Sequence, residues 1–229
     1  MPALAVQSLT FSYPTASWSL SVPQLSLHTG EQLLLQASSG SGKSTLLSLI
    51  AGLLEPRTGT IEVQGTRVHT LHGAARDRFR GRTIGMVFQT HHLVVGLSAL
   101  ENVLAAPLMA GLPVQATRGR ELLSELGIVR VDARVDELSV GQQQRVAIAR
   151  ALMCKPALVL ADEPTASLDP ASAHAAMDLL QSSCRQLGAA LLCVSHDPAM
   201  AARFANVQPL TSNEHAPSAT EPFRQGAQR

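Results

Sequence analysis

Nothing constrains this chain more than the stretch Ala37-Ser38-Ser39-Gly40-Ser41-Gly42-Lys43-Ser44-Thr45. The apolar run Leu33-Leu34-Leu35 leads into it, and a helical-looking segment from Ser44 to Gly52 leads out. Strand, glycine-rich loop and helix is the arrangement in which backbone N–H groups converge on a polyphosphate, backed by the positive end of the helix dipole. In that reading Lys43 bridges the β- and γ-phosphates and the Ser44 hydroxyl stands on Mg2+. The strict pattern opens with glycine, whereas Ala37 stands here; a methyl group fits if φ is negative. The competing reading, a small-residue helix start with one exposed lysine, needs no ligand. The segment predicts a nucleoside triphosphate site that the rest of the chain must complete.

Composition limits what surrounds such a site. The 229 residues suffice for one domain with a real core, and 45% apolar against 15% charged residues describes a globular chain. Aromatics are only 3%, so Leu, Val, Ala and Ile must build the core. A formal net charge of +1 gives no general pull toward nucleic acid or anionic lipid. Lys43 is the first Lys or Arg in the chain, so neither a secretory signal nor an Arg-rich leader is expected. The longest apolar window, Leu46 to Leu54, is interrupted by Ser48 and falls far short of a membrane span. Cys154, Cys184 and Cys193 form no C-x-x-C pair and read as small core residues in a reducing, cytosolic compartment.

The apolar spacing gives the order of parts. Leu4–Tyr13, Trp18–Leu27, Thr60–Val63 and Thr66–Val68 read as strands of an antiparallel patch, with Gln64-Gly65 as a hairpin turn. Thr83–Phe88, Ala157–Ala161 and Ala190–Val194 are short and nearly all apolar, as strands covered on both faces should be. Between them, from about Ser98 to Met153, Leu104, Leu108, Leu122, Leu123, Leu126, Val146, Ile148 and Leu152 recur at roughly helical spacing. The expected plan is an α/β core, an antiparallel patch and a helical insert. Ala205-Asn206-Val207-Gln208-Pro209-Leu210 makes a poor strand, and the Pro-, Ser-, Ala- and Gln-rich chain from Gln208 onward predicts a mobile tail, disordered over 211–229.

Further chemistry gathers at strand ends. Leu158-Val159-Leu160-Ala161 ends in Asp162-Glu163, at the carboxyl edge where ligands bind in open α/β sheets. Asp162 is expected to hold Mg2+ through water, and Glu163 to polarise the attacking water as general base. His196, ending the next apolar run, can donate to a γ-phosphate, and Gln89 can offer its amide oxygen to the metal or the water. Ser195-His196-Asp197 invites a hydrolase-triad reading, which the alternation of side chains along a strand opposes. Arg76, Arg78, Arg80 and Arg82, with Asp77 among them, read as a solvated surface rather than a nucleic-acid patch. His69 and His72 (an H-x-x-H pair) and His91-His92 lack a Cys or acidic partner spaced to complete a metal site.

The segment Leu138-Ser139-Val140-Gly141-Gln142-Gln143-Gln144-Arg145 strongly resembles the signature motif of the ATP-binding cassette (ABC) family and the helix that follows it. With it the other pieces fall into that family's order: phosphate loop, Gln89, signature, Asp162-Glu163, Ser167-Leu168-Asp169, His196. The resemblance runs from Leu4 to about Phe204 and implies a P-loop NTPase core with a parallel sheet, an antiparallel β patch and a helical subdomain at about 91–153, all within one ATP-binding domain over 1–210. It implies ATP with Mg2+, and Tyr13 in the place of the aromatic that stacks on adenine. It implies two copies paired head to tail around two ATP, each nucleotide lying between one copy's Ala37–Thr45 and the other's Ser139, Gly141 and Gln142. Asp169 would couple the two sites across the interface.

The segments Thr83–Leu93 and Leu97–Val103 look most like ATPases of lipoprotein-releasing and macrolide-export systems, which implies a separate transmembrane permease and a peripheral place on the cytoplasmic face of the membrane. His91-His92 would lie near that partner. The resemblance also leaves room for an ATP-gated regulator that transports nothing. A soluble ATPase acting on ribosomes or DNA fits less well, because the chain has neither a second cassette nor a long coiled-coil insert, and no nucleic-acid partner is expected. Val140 departs from the family by replacing the first of the signature's two glycines, which bears on hydrolysis rate. The region after Val95 also lacks the proline often found there, so the coupling surface can differ.

Overall fold

A computed structural model describes residues 1–14, 18–38 and 40–210; the tail expected over 211–229 lies outside the described residues, as does Ser39. The strands are β1 (Pro2–Ser12), β2 (Ser19–His28), β3 (Gln32–Gln36), β4 (Thr58–Val63), β5 (Thr66–Arg67), β6 (Ile84–Val87), β7 (Leu158–Asp162), β8 (Ala190–Ser195) and β9 (Asn206–Pro209). The helices are α1 (Lys43–Ile50), α2 (Gly73–Thr83), α3 (Ala99–Met109), α4 (Ala116–Glu125), α5 (Val140–Leu152), α6 (Pro170–Leu187) and α7 (Pro198–Ala201).

Alternation of apolar residues in β1 and β2 gives a sheet with one buried face. Its strand order is β2-β1-β4-β5, all antiparallel, with Leu4 opposite Leu27 and Phe11 opposite Leu20. The short apolar runs form a second, parallel sheet ordered β6-β7-β8-β3-β9. All residues of β8 are buried, as covering on both faces requires. Because side chains alternate, this sheet feeds two cores. Leu34, Val159, Ala161, Leu191 and Cys193 pack with α3, α4, α5 and α6. Leu33, Leu35, Leu158, Leu160, Leu192 and Val194 pack with α1 and the antiparallel sheet.

Two expectations are corrected, for the chain end and for the arginine run. Residues 206–209 are a strand after all: β9 runs parallel to β3, with Val207 beside Leu34 and Pro209 beside Gln36, so the chain is in regular structure through Pro209 rather than mobile from Gln208. Pro and Asn are tolerated because β9 is the edge of the sheet, where one side of the ladder needs no partner. Leu108 keeps helical spacing yet is 70% exposed, since α3 turns Leu100, Val103 and Pro107 inward and leaves the next position outside. The arginine run is only partly a solvated surface. Arg76 pairs with Glu55 and Arg80 with Asp77, but Arg82 turns in and donates to the carbonyls of Ala110 (3.0 Å) and Gly111 (2.9 Å) at the end of α3.

Candidate functional site

The carboxyl ends of β3, β6, β7 and β8 meet at one edge of the parallel sheet. Two backbone bonds continue the ladder past the strands: Ala37 donates to Ser195 O (3.1 Å) and Glu163 to Val194 O (3.0 Å). The loop after β3 is thereby fixed against β8, and Glu163 likewise.

That loop folds around its own glycines. Gly42, the N-cap of α1, has φ +89°, and a Cβ there would stand 2.4 Å from the Trp18 ring, so only glycine fits. Ala37 is buried and is not among the described non-glycine residues with positive φ, so its methyl group costs the loop no strain. Ser41 turns back, its hydroxyl donating to Ser38 O at 2.8 Å. Lys43 crosses the loop and donates to the carbonyls of Ala37 and Ser38, both at 3.1 Å, while pairing with Glu163 Oε1 at 3.1 Å.

Two acids end β7, and their surroundings push them in opposite directions. Burial is the largest influence on Asp162 and raises its carboxyl above the ordinary range; a hydrogen bond from Ser44 and the charge of Lys43 oppose this, and the neighbouring Glu163 adds to it. Burial also pushes Glu163 up, but hydrogen bonds from His196, Ser195 and Lys43 outweigh it and hold the carboxyl below its usual value. Glu163 adopts φ +44°, an uncommon conformation for a non-glycine residue. Its Oε1 accepts from His196 N (3.0 Å) and lies 2.6 Å from His196 Nδ1; its Oε2 accepts from the Ser195 hydroxyl at 2.8 Å.

This corrects the expectation that Ser195 and His196 face apart. β8 ends at Ser195, the chain turns, and both side chains reach Glu163, while Asp197 instead caps α7 by accepting from Ala199 N. No serine–histidine–aspartate triad forms.

These groups line a cleft of about 600 Å3, within the size range of small-ligand sites. The structure brings together Gly40, Gly42, Lys43, Ser44 and Thr45 with Gln89, Asp162, Glu163 and His196. Tyr13 closes one end, its hydroxyl 3.3 Å from Thr45 Oγ1. Sequence reasoning missed Trp18, which lines the cleft beside Tyr13 at a ring separation of 6.3 Å. The signal was available only as the chain's single tryptophan lying five positions after Tyr13. Ser44, Gln89 and Asp162 face the cleft with oxygen donors alone, a set that suits Mg2+ rather than a softer metal.

Ser139, Gly141 and Gln142 do not line the cleft. They start α5, where Ser139 and Gln142 form a reciprocal cap: Gln142 N donates to Ser139 Oγ (3.3 Å) and Ser139 N to Gln142 Oε1 (2.9 Å). Ser139 is exposed, so the positive end of this helix's dipole lies at the surface.

The sequence profile that describes ABC transporters matches residues 20–166. A lipoprotein-releasing system ATP-binding protein, LolD 1 of Caulobacter vibrioides, is 47% identical over 183 residues, covering 78% of each chain. The LolD of Anaeromyxobacter dehalogenans is 48% identical over 184 residues, 78% of this chain and 77% of its own. The dimeric post-hydrolysis structure of the ATP-binding cassette MJ0796 with ADP and Pi superposes with a TM-score of 0.80 at 30% identity, over 91% of this chain and 94% of that one.

Proposed function

The chain belongs to the ABC transporter family as an ATP-binding, ATP-hydrolysing subunit, and from that premise we propose that it drives a separate membrane permease that releases or exports lipoproteins or similar hydrophobic cargo. The observation that carries this reading is the division of the site. Lys43, Ser44, Asp162, Glu163 and His196 share one cleft, while Ser139, which is exposed, and Gly141, which is half-buried, stand outside it. One chain holds half a site, and a second copy turned head to tail supplies the helix start that the first lacks.

In that dimer Tyr13 and Trp18 flank the adenine and the Ala37–Thr45 backbone, with Ser39 included, cradles the phosphates. Lys43 leaves Glu163 for the β- and γ-phosphates. Ser44, Asp162 and Gln89 would hold Mg2+, which would neutralise phosphate charge. Glu163, freed of Lys43 and of the His196 ring, orients and deprotonates water, and His196 turns its ring to donate to the γ-phosphate. Residues 1–210 act as one ATP-binding domain, with the helical part at about 91–153 meeting the permease. Among the described residues no helix is long and apolar enough to cross a membrane; on this reading the subunit lies against its permease on the cytoplasmic face. The names of the lipoprotein-releasing relatives support the cargo class.

The test is to express tagged Glu163→Gln in its native host, solubilise membranes in mild detergent with ATP and Mg2+, and identify what co-purifies. A multi-span protein with a large extracytoplasmic domain, carrying lipoprotein, is the expected result. Recovery of ribosomes or DNA, or of no membrane protein, overturns the proposal.

A further inference from the structure

The Glu163 carboxylate is held by more than its proposed work requires. Oε1 takes three donors, Lys43 Nζ at 3.1 Å, His196 N at 3.0 Å and His196 Nδ1 at 2.6 Å, whereas Oε2 takes the Ser195 hydroxyl at 2.8 Å. An ionised carboxylate only accepts, so Ser195 must be the donor. That fixes its one proton and leaves its oxygen to accept from Asp197 N at 3.1 Å. The Ser195 carbonyl accepts from Ala37 N at 3.1 Å. Ser195 is itself buried, at 3% exposure. One hydroxyl thus joins the base, the turn that carries His196 and, through its own backbone, the phosphate loop.

The two carboxylate oxygens fare differently when nucleotide arrives. On the reading above, Lys43 moves to the phosphates and the His196 ring to the γ-phosphate, so Oε1 loses two of its donors. Ser195 does not line the nucleotide cleft and has no reason to move. Glu163 also sits at φ +44°, a conformation costly for a non-glycine residue that persists only where its surroundings hold it. We propose that Ser195 is a positioning residue of the ATPase reaction: its hydroxyl pins Oε2 and turns Oε1, newly vacated, toward the attacking water. This rests on Glu163 being the base.

Steady-state kinetics of the full chain test it, with Ser195→Ala, Ser195→Thr and Glu163→Gln measured together. Removing a hydrogen bond to a charged group should lower kcat roughly tenfold to a hundredfold in Ser195→Ala, with KM within about twofold of wild type. The acid limb of the kcat–pH profile should move to higher pH, because the carboxylate has lost a donor. Ser195→Thr, which keeps the hydroxyl, should restore kcat and the acid limb. Wild-type kcat and an unmoved acid limb in Ser195→Ala overturn the inference. So does a loss of kcat that Ser195→Thr shares, or one matched by a rise in KM and a fall in melting temperature, since those mark a structural role. Glu163→Gln separates the levels: if it hydrolyses ATP at the wild-type rate the assignment of the base itself falls, whereas an inactive Glu163→Gln beside an unaffected Ser195→Ala overturns only the role of Ser195.

Discussion

The Gln144 side-chain amide donates to the Pro164 carbonyl at 2.6 Å, with Gln144 only 1% exposed. The helix that begins at Ser139 is thereby tied to the residue immediately after Glu163. The signature helix and the acidic strand end do not merely lie near each other; one buried bond fixes their spacing.

Gln144→Met keeps the volume but removes the donor, leaving a buried carbonyl without a partner. The expected cost is about 1–3 kcal/mol in denaturant unfolding. Hydrolysis should fall by more than the small fraction unfolded explains. Unchanged stability would show that water replaces the amide.

Arg150 holds the segment after Gln89 by a fork, one guanidinium nitrogen donating to His92 O at 2.5 Å and the other to His91 O at 2.7 Å. A lysine ammonium cannot span both carbonyls in that geometry. Arg150→Lys should lower stability by about 1–3 kcal/mol and speed amide hydrogen exchange across residues 90–97. Wild-type exchange there would mean the loop is held by its other contacts, such as Asn102 on Val94.

Gly141 separates fold from function. A Cβ there meets only Ser172, at 3.4 Å, an ordinary contact within one chain. Gly141→Ala should therefore leave the melting temperature unchanged or raise stability by up to about 1 kcal/mol, alanine being the better helix former. ATP hydrolysis and ATP-dependent dimerisation should fall nonetheless, because in the proposed dimer the added methyl would face the second copy's nucleotide. Full activity in Gly141→Ala would place the phosphate elsewhere.

Asp162 and Glu163 should respond to pH with opposite sign. Asp162 is raised chiefly by burial, so its charged form is disfavoured by folding; the penalty is present above the raised value and relieved as pH falls through it. Asp162→Asn should melt higher than wild type at neutral pH without nucleotide, the difference shrinking in acid. Glu163 resists the upward push of burial because His196, Ser195 and Lys43 hold it down, so its stabilising contribution is present above the ordinary carboxylate range and disappears as pH falls below it. With ATP and Mg2+ added, ligand stabilisation should reverse the order of wild type and Asp162→Asn. Melting curves against pH check all of this.

The parts that the sequence made legible are those written locally. The phosphate loop, the strand leading to Asp162-Glu163 and the helix that follows the signature segment each carry their signal within a dozen residues, and each stands in the structure where that signal puts it. What stayed hidden depends on distant backbone. β9 exists because β3 offers an open edge, not because Asn206–Pro209 favours a strand. Trp18 reaches Gly42 only once β1 and β2 have paired. The convergence of Ser195 and His196 depends on where β8 stops, a boundary that side-chain alternation assumed rather than located.

The two-sided parallel sheet has a consequence for how such a chain can be altered. Leu34 serves the helical core while its neighbours Leu33 and Leu35 serve the other, so the same five strands insulate one packing problem from the next. Substitutions on opposite faces share no partners and should combine additively. Residues facing the helices can then drift while the packing beneath the phosphate loop is left alone. The sheet acts as a partition between the packing beneath the phosphate loop and the packing of the helical side.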